Sequence, residues 1–213
     1  MQTIELIEQL AADLRPTARH AIVQRLAVSL AAGALIALVL VLVSLGPRND
    51  LAAAVLSSPF WMKWGYTLAV TAAALALCAR LARPEGAPGI LPLVLAVPFL
   101  LICIGALIQL GAAPPAQRVP LWLGNSAVKC PWIIAALSVP IFLGVLWTLR
   151  QFAPTNLRLT GFAAGCLAGA VAAVVYAVHC NESAIPFVAT WYSAGILIPA
   201  LLGLVVGPRA LRW

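Results

Sequence analysis

Apolar residues in this chain do not alternate with polar ones. They run nearly unbroken for about twenty positions at a time, six times over: Leu26 to Leu45, Phe60 to Ala82, Ile90 to Ala112, Pro131 to Leu149, Leu159 to Val178 and Pro186 to Val206. Helix-ending and chain-reversing clusters separate the runs: Gly46-Pro47-Arg48-Asn49-Asp50, Arg83-Pro84-Glu85-Gly86, Ala113-Pro114-Pro115, Ala153-Pro154-Thr155-Asn156 and Asn181-Glu182-Ser183. The pattern predicts an all-α membrane protein, a bundle of six transmembrane helices in three hairpins. Residues 26–206 form the membrane domain, residues 1–25 a cytoplasmic partner-binding segment and residues 207–213 a cytoplasmic tail. A β-barrel is excluded, because its strands change character every second residue. Some 25 mostly polar residues precede the first run and no small-residue cleavage pattern follows it, so this helix is expected to stay in the mature protein.

Composition sharpens this picture. Of 213 residues, 63% are hydrophobic and only 9% charged, with a mean hydropathy of +1.04, which leaves no room for a sizeable soluble catalytic or nucleic-acid-binding domain. The net charge of +7 is accounted for by topology. Nine arginines (Arg15, Arg19, Arg25, Arg80, Arg83, Arg150, Arg158, Arg209 and Arg212) fall on one side, against Arg48, Lys63, Arg118 and Lys129 on the other. The positive-inside rule then puts both termini in the cytoplasm, and arginines at helix ends suit anionic lipid headgroups without any direct nucleic-acid partner. Trp61, Trp64, Trp122 and Trp132 mark the outer interface, Trp147 and Trp213 the inner one, and Trp191 lies inside a span.

The spans hold Thr71, Gln109, Ser138, Tyr176, Thr190 and Tyr192 but no clear mid-membrane charge. That argues against an ion-coupled transporter. A small channel or transporter for a neutral solute stays open as the alternative function. His20 and His179 lie on opposite sides of the bilayer and cannot clasp one haem. In the fifth span Gly161, Gly165 and Gly169 share a helix face, a surface for close helix packing within the bundle or, alternatively, in a homodimer. Pro92, Pro98, Pro140, Pro186 and Pro199 are expected to bend or weaken spans three, four and six.

Cys78, Cys103 and Cys166 fall within spans, where a thiol is an inert small hydrophobe. Cys130 and Cys180 differ: both lie at the outer ends of spans, on the oxidising side, and sequential antiparallel spans could bring them within disulfide reach. Three readings stay open here: a structural disulfide, a reactive or metal-sensing pair, and two unrelated thiols. Lys129 and His179 flank the pair and could lower its pKa. Cys130, His179, Cys180 and Glu182 could together take a soft metal, with a transient heavy-metal ion as the one conceivable cofactor, although no closely spaced ligand motif supports it. No CxxC marks a disulfide-shuttling enzyme, and no enzymatic activity is expected.

Ahead of the first span, Ile4, Ile7, Leu10, Ala11 and Leu14 recur at three- and four-residue steps, with Glu5 and Glu8 near the helix start and Pro16 beyond its end. A membrane-surface helix would have a basic polar face. Here Glu5, Glu8 and Asp13 outnumber Arg15, so the segment is read as a short amphipathic helix that docks its apolar stripe on a basic protein partner.

The chain as a whole resembles the NrsF-type multi-spanning anti-sigma factors. The resemblance rests on Leu10-Ala-Ala-Asp13 with Pro16, Gly46-Pro-Arg48 with Asp50-Leu51, Phe60-Trp61-Met-Lys63, Leu81-Ala-Arg83-Pro84, Cys130 and Ala153-Pro154. It continues through Gly161 to Gly169, Tyr176 with His179-Cys180 and Glu182-Ser183, Trp191-Tyr192 and Gly207-Pro-Arg209-Ala-Leu-Arg-Trp213. It implies a bacterial inner-membrane protein that holds an extracytoplasmic-function sigma factor at the cytoplasmic face and releases it under heavy-metal or oxidative stress. Ile4, Glu5, Ile7, Glu8, Leu10, Asp13 and Leu14 would then contact the sigma factor, and Cys130 and Cys180 would match the family's outward cysteine pair.

Overall fold

The computed structural model describes residues 21–212, and the N-terminal segment with its expected sigma-contacting residues lies outside them. The described residues are helical throughout, with no strand. Six long apolar helices are able to cross a bilayer: α1 (Ala21–Ser44), α3 (Ser58–Leu81), α4 (Leu91–Ala112), α6 (Lys129–Arg150), α7 (Leu157–Tyr176) and α8 (Ile185–Ala210). Two short helices, α2 (Leu51–Ala54) and α5 (Pro115–Leu123), sit in connections that the hydrophobic pattern reads as plain loops. Val28, Val43, Leu93, Leu107 and many other large apolar side chains are exposed on the bundle. So much contiguous apolar surface suits hydrocarbon rather than water, and the chain is a multi-pass membrane protein.

Six crossings place the two described termini at one end of the bundle. Arg25, Arg80, Arg83, Arg150, Arg158 and Arg209 gather there, and we refer to it as the arginine end; Cys130 and Cys180 lie at the other, the thiol end. α1 starts at Ala21 and so runs across the boundary expected at residue 25. Arg25 is tolerated inside it because its guanidinium donates to Gln151 Oε1 at 2.7 Å and lies 5.4 Å from the centre of the Phe152 ring.

The centre of the bundle is α7, of whose 20 residues 14 are buried. It packs against α8, α3, α6 and α1. Small side chains make this possible. Cβ atoms added at Gly161 or Gly203 would strike each other's main chain, one at Gly165 would strike the Pro199 carbonyl, and one at Gly169 would come within 2.9 Å of Ile196. The stripe of Gly161, Gly165 and Gly169 is therefore consumed inside the chain by α8, which removes it as a homodimer surface. Lipid is as apolar as leucine, so dispersion contacts at this close approach, rather than water exclusion, hold the two helices together. On the opposite side Gly33 of α1 sits on Ile141 of α6, where a Cβ would lie 2.7 Å from the Ile141 Cα.

The prolines divide into two groups. Pro92 and Pro186 occupy the first turn of α4 and α8, where a missing N–H costs nothing, and so do not weaken the spans as the sequence suggests. Pro98, Pro140 and Pro199 are interior. α8 also departs from α-geometry over Val188–Tyr192, a single π-helical stretch. Such widened turns concentrate at functional sites, and this one directs Tyr192 into the thiol end.

Gly165→Val and Gly203→Val should each destabilise the fold by about 1–3 kcal/mol, since overpacking at a backbone contact cannot relax. Gly111→Ala, at a helical position with open space around it, should be neutral or slightly stabilising. Unfolding in detergent micelles, followed by circular dichroism, checks both.

Candidate functional site

Two connections and two helices meet at one short turn, residues 177–184, between α7 and α8. Ser57 and Pro59 start α3 so that Lys63 falls in its second turn, facing inward. Lys63 is fully buried, and its ammonium donates to the carbonyls of Cys180 (2.8 Å) and Glu182 (2.7 Å) while lying 5.3 Å from the centre of the Tyr192 ring. From the preceding loop, the Arg48 backbone N–H donates to the Val178 carbonyl at 3.1 Å. The Arg48 side chain grips Asp50 through two 2.7 Å bonds and reaches the Cys180 carbonyl at 3.4 Å. This fork holds the Asp50 carboxyl below the usual carboxylate range.

The other side of the turn is tied down in the same way. Glu182 Oε1 accepts from the Asn125 N–H at 2.7 Å. Its carboxylate fills the place where a side chain at Gly124 would stand, and Gly124 itself has a φ of +53°, a conformation natural only to glycine. From α4, Gln109 Oε1 accepts from the Ile185 N–H at 2.9 Å. Trp191 Nε1 donates to the Trp122 carbonyl at 2.9 Å, which fastens α5 to the π-helical stretch. Trp191 lies within the sixth span, as expected, near its thiol end.

Inside this knot lie the two thiols. Cys130, in the first turn of α6, is fully buried, and Cys180 is 4% exposed. Both are free thiols, as are Cys78, Cys103 and Cys166. The Cys130 thiol donates toward the Cys180 sulfur. Burial opposes ionisation of Cys180, but that bond, the nearby Lys63 charge and the Tyr192 hydroxyl together lower its pKa to about 6. The Tyr192 hydroxyl is buried without a hydrogen-bond partner, and it lies near Cys180. Tyr176 completes the wall, its ring 6.0 Å from that of Tyr192 and 5.7 Å from that of His179.

Of the residues the sequence offered as a metal set, only the two cysteines converge. His179 Nδ1 is turned to the Gly46 carbonyl at 2.8 Å, and the acceptor there means that this nitrogen carries the proton. Glu182 is committed to Asn125, and the Lys63 ammonium occupies the space beside the thiols. Among the described residues no three His, Cys, Asp or Glu side chains come together as metal ligands. His179 and Glu182, neighbours of Cys180 in sequence, thus point to partners other than the thiols. Lys129 and His179 were the sequence candidates for activating the thiols; the buried Lys63 and Arg48 are the cations held there, both on the Cys180 carbonyl. A lysine within an otherwise apolar run was the available signal, but it reads equally well as an interfacial residue.

The chain's relationships agree with a regulatory rather than a catalytic role. A family model described as "Negative regulator of sigma F" matches residues 10–213. The chain is 42% identical over 213 residues to the probable anti-sigma-F factor NrsF of Azospira oryzae, with both proteins covered in full. It is 37% identical over 214 residues to the anti-sigma-F factor NrsF of Caulobacter vibrioides, again over the whole of both. No solved structure matches it. This six-helix membrane protein with a buried thiol pair belongs to the NrsF family.

A thiol whose pKa is depressed is ionised above that value. Modification of Cys180 by the small reagent methyl methanethiosulfonate should therefore rise between about pH 5 and 7 and level off above, rather than climbing through pH 9. Peptide mass spectrometry of the quenched reactions gives the profile.

Proposed function

We propose that this protein is an anti-sigma factor that holds an extracytoplasmic-function sigma factor at the cytoplasmic face of the bacterial inner membrane. It releases that factor on an oxidative or heavy-metal signal received by Cys130 and Cys180 on the periplasmic side. The observation that carries this reading is the placement of two buried, adjacent thiols at the turn to which the connections of the thiol end are tied, in a chain related over its whole length to proteins named anti-sigma-F factors. The basic asymmetry supports an orientation with the arginine end and both termini in the cytoplasm. At that end a cavity of about 750 Å³, lined by Ile22, Arg80, Arg83, Glu85, Gln151 and Phe152, adjoins the start of α1, from which the N-terminal segment leads.

A signal changes sigma binding only if two states of the membrane domain differ in affinity for it. Chemistry at the thiols supplies such a difference. It alters the contacts of the turn between α7 and α8, and the tight glycine face between these helices moves them together rather than letting the change dissipate. At the far end, the apolar stripe of Ile4, Ile7, Leu10 and Leu14 docks on the sigma factor while Glu5, Glu8 and Asp13 meet its basic surface. Each apolar anchor contributes at most about 1.5–3 kcal/mol before ordering costs, so the segment alone binds modestly.

The full chain should co-purify with its sigma factor. Leu10→Asp and Asp13→Lys should each weaken that capture at unchanged membrane abundance; unaltered capture would rule out this interface. Reporter fusions after Arg83 and Arg158 should behave as cytoplasmic. Cys130→Ser and Cys180→Ser should insert normally yet leave sigma-dependent transcription fixed, on or off, whatever oxidant or metal is added.

A further inference from the structure

Lys63 is a buried cation without a carboxylate. Among the described residues the only ion pair is Arg48 with Asp50, and the Glu182 carboxylate is engaged by Asn125. The Lys63 ammonium has two neutral carbonyls and the face of Tyr192. Removing a charge from water without an opposing charge is expensive, and two carbonyl dipoles offset only part of that cost. The group nearby that can become an anion without a competing partner is the Cys180 sulfur, whose own carbonyl Lys63 already holds. The same ammonium is fixed on the carbonyl of Cys180 and makes no bond to Cys130, so its attraction falls on Cys180 more than on Cys130.

We propose that Lys63 is the positioning residue of the thiol pair: fixed on the Cys180 and Glu182 carbonyls, its buried ammonium makes Cys180 the sulfur that reacts first and Cys130 the one that follows. This deepens the thiol-sensing reading and rests on it. With a hydroperoxide as oxidant, the Cys180 thiolate attacks a peroxide oxygen and the O–O bond breaks. The departing oxygen takes up a proton as water or alcohol, and Cys180 is left as a sulfenic acid. The Cys130 sulfur then attacks the Cys180 sulfur, the S–S bond forms, and the S–O bond breaks as hydroxide leaves with the Cys130 proton as water. Two thiols have given two electrons to one peroxide. The product carries no charge, so Lys63 loses its counter-ion while still buried, and the α3 contact with the turn loses the attraction that held it. That loss gives the reaction a structural consequence at the outer end of α3.

The test uses the full chain in detergent micelles or nanodiscs, treated under single-hit conditions with methyl methanethiosulfonate, from which a thiolate displaces methanesulfinate to form a methyl disulfide. The readout is the ratio of label on Cys180 to label on Cys130 at pH 7. Both thiols share one buried site, so the ratio is insensitive to how often that site opens. The expected ratio in the unaltered chain is about ten or more, falling about tenfold in Lys63→Met and staying near the original value in Lys63→Arg, which keeps the charge. Equal labelling of the two thiols in the unaltered chain would overturn the proposal without any variant, as would an unchanged ratio in a folded Lys63→Met protein. Sigma capture and release are followed on the same preparations. A chain that labels Cys180 first but releases no sigma factor on peroxide treatment would refute the sensing function and leave the role of Lys63 standing.

Discussion

Everything in this bundle depends on the backbone-to-backbone contact between α7 and α8. In hydrocarbon there is no water to be expelled from between helices, so association must come from dispersion at close range and from polar contacts. Gly161, Gly165 and Gly169 meet Gly203, Gly207 and the Pro199 carbonyl with no side chain between them. That contact makes α7 the axis about which α1, α3 and α6 arrange themselves, and it fixes where the turn following α7 emerges. The peripheral α4 shows the contrast. It packs on α3 and on the start of α8, with most of its large residues facing outward.

The thiol end is built on the opposite principle. Beside the burial of Ala177 and Cys180, the turn at residues 177–184 is held by charged and amide groups from separate parts of the chain. Arg48 reaches it from the first connection, Lys63 from α3, Gln109 from α4 and Asn125 from the loop before α6. Each bond is ordinary in strength, and hydrogen bonds to charged groups are worth about 1.5–3 kcal/mol. Because all of them end on the same few residues, a change at Cys180 is felt at four places in the sequence at once.

The architecture was legible in the sequence because the length of an apolar run is a direct reading of bilayer thickness, and each of the six runs became a spanning helix. That Cys130 and Cys180 fall at the same end of the bundle was legible for the same reason. Their adjacency was not, since it depends on how the loops fold back. The direction of the side chains beside Cys180 was hidden too: His179 and Glu182 have the right chemistry for a metal but turn to Gly46 and Asn125. Lys63 escaped notice because a lysine near a helix end ordinarily stretches toward water, and only the packed structure shows it pointing inward. The π-helical stretch has no sequence signature, and without it the register of Tyr192 cannot be foreseen.

The burial of both sulfurs also has a kinetic meaning. Cys130 is wholly buried and Cys180 is 4% exposed, so a reagent must wait for the turn to open before it meets a thiol. When opening and closing are fast compared with the chemistry, the observed rate is the intrinsic rate multiplied by the fraction of time spent open. The bonds from Lys63, Arg48, Asn125 and Gln109 then set a threshold dose. Strengthening the bond from Asn125 or from Gln109 desensitises the site without touching its reactivity, and a bulky thiol compound is screened out where a small one passes.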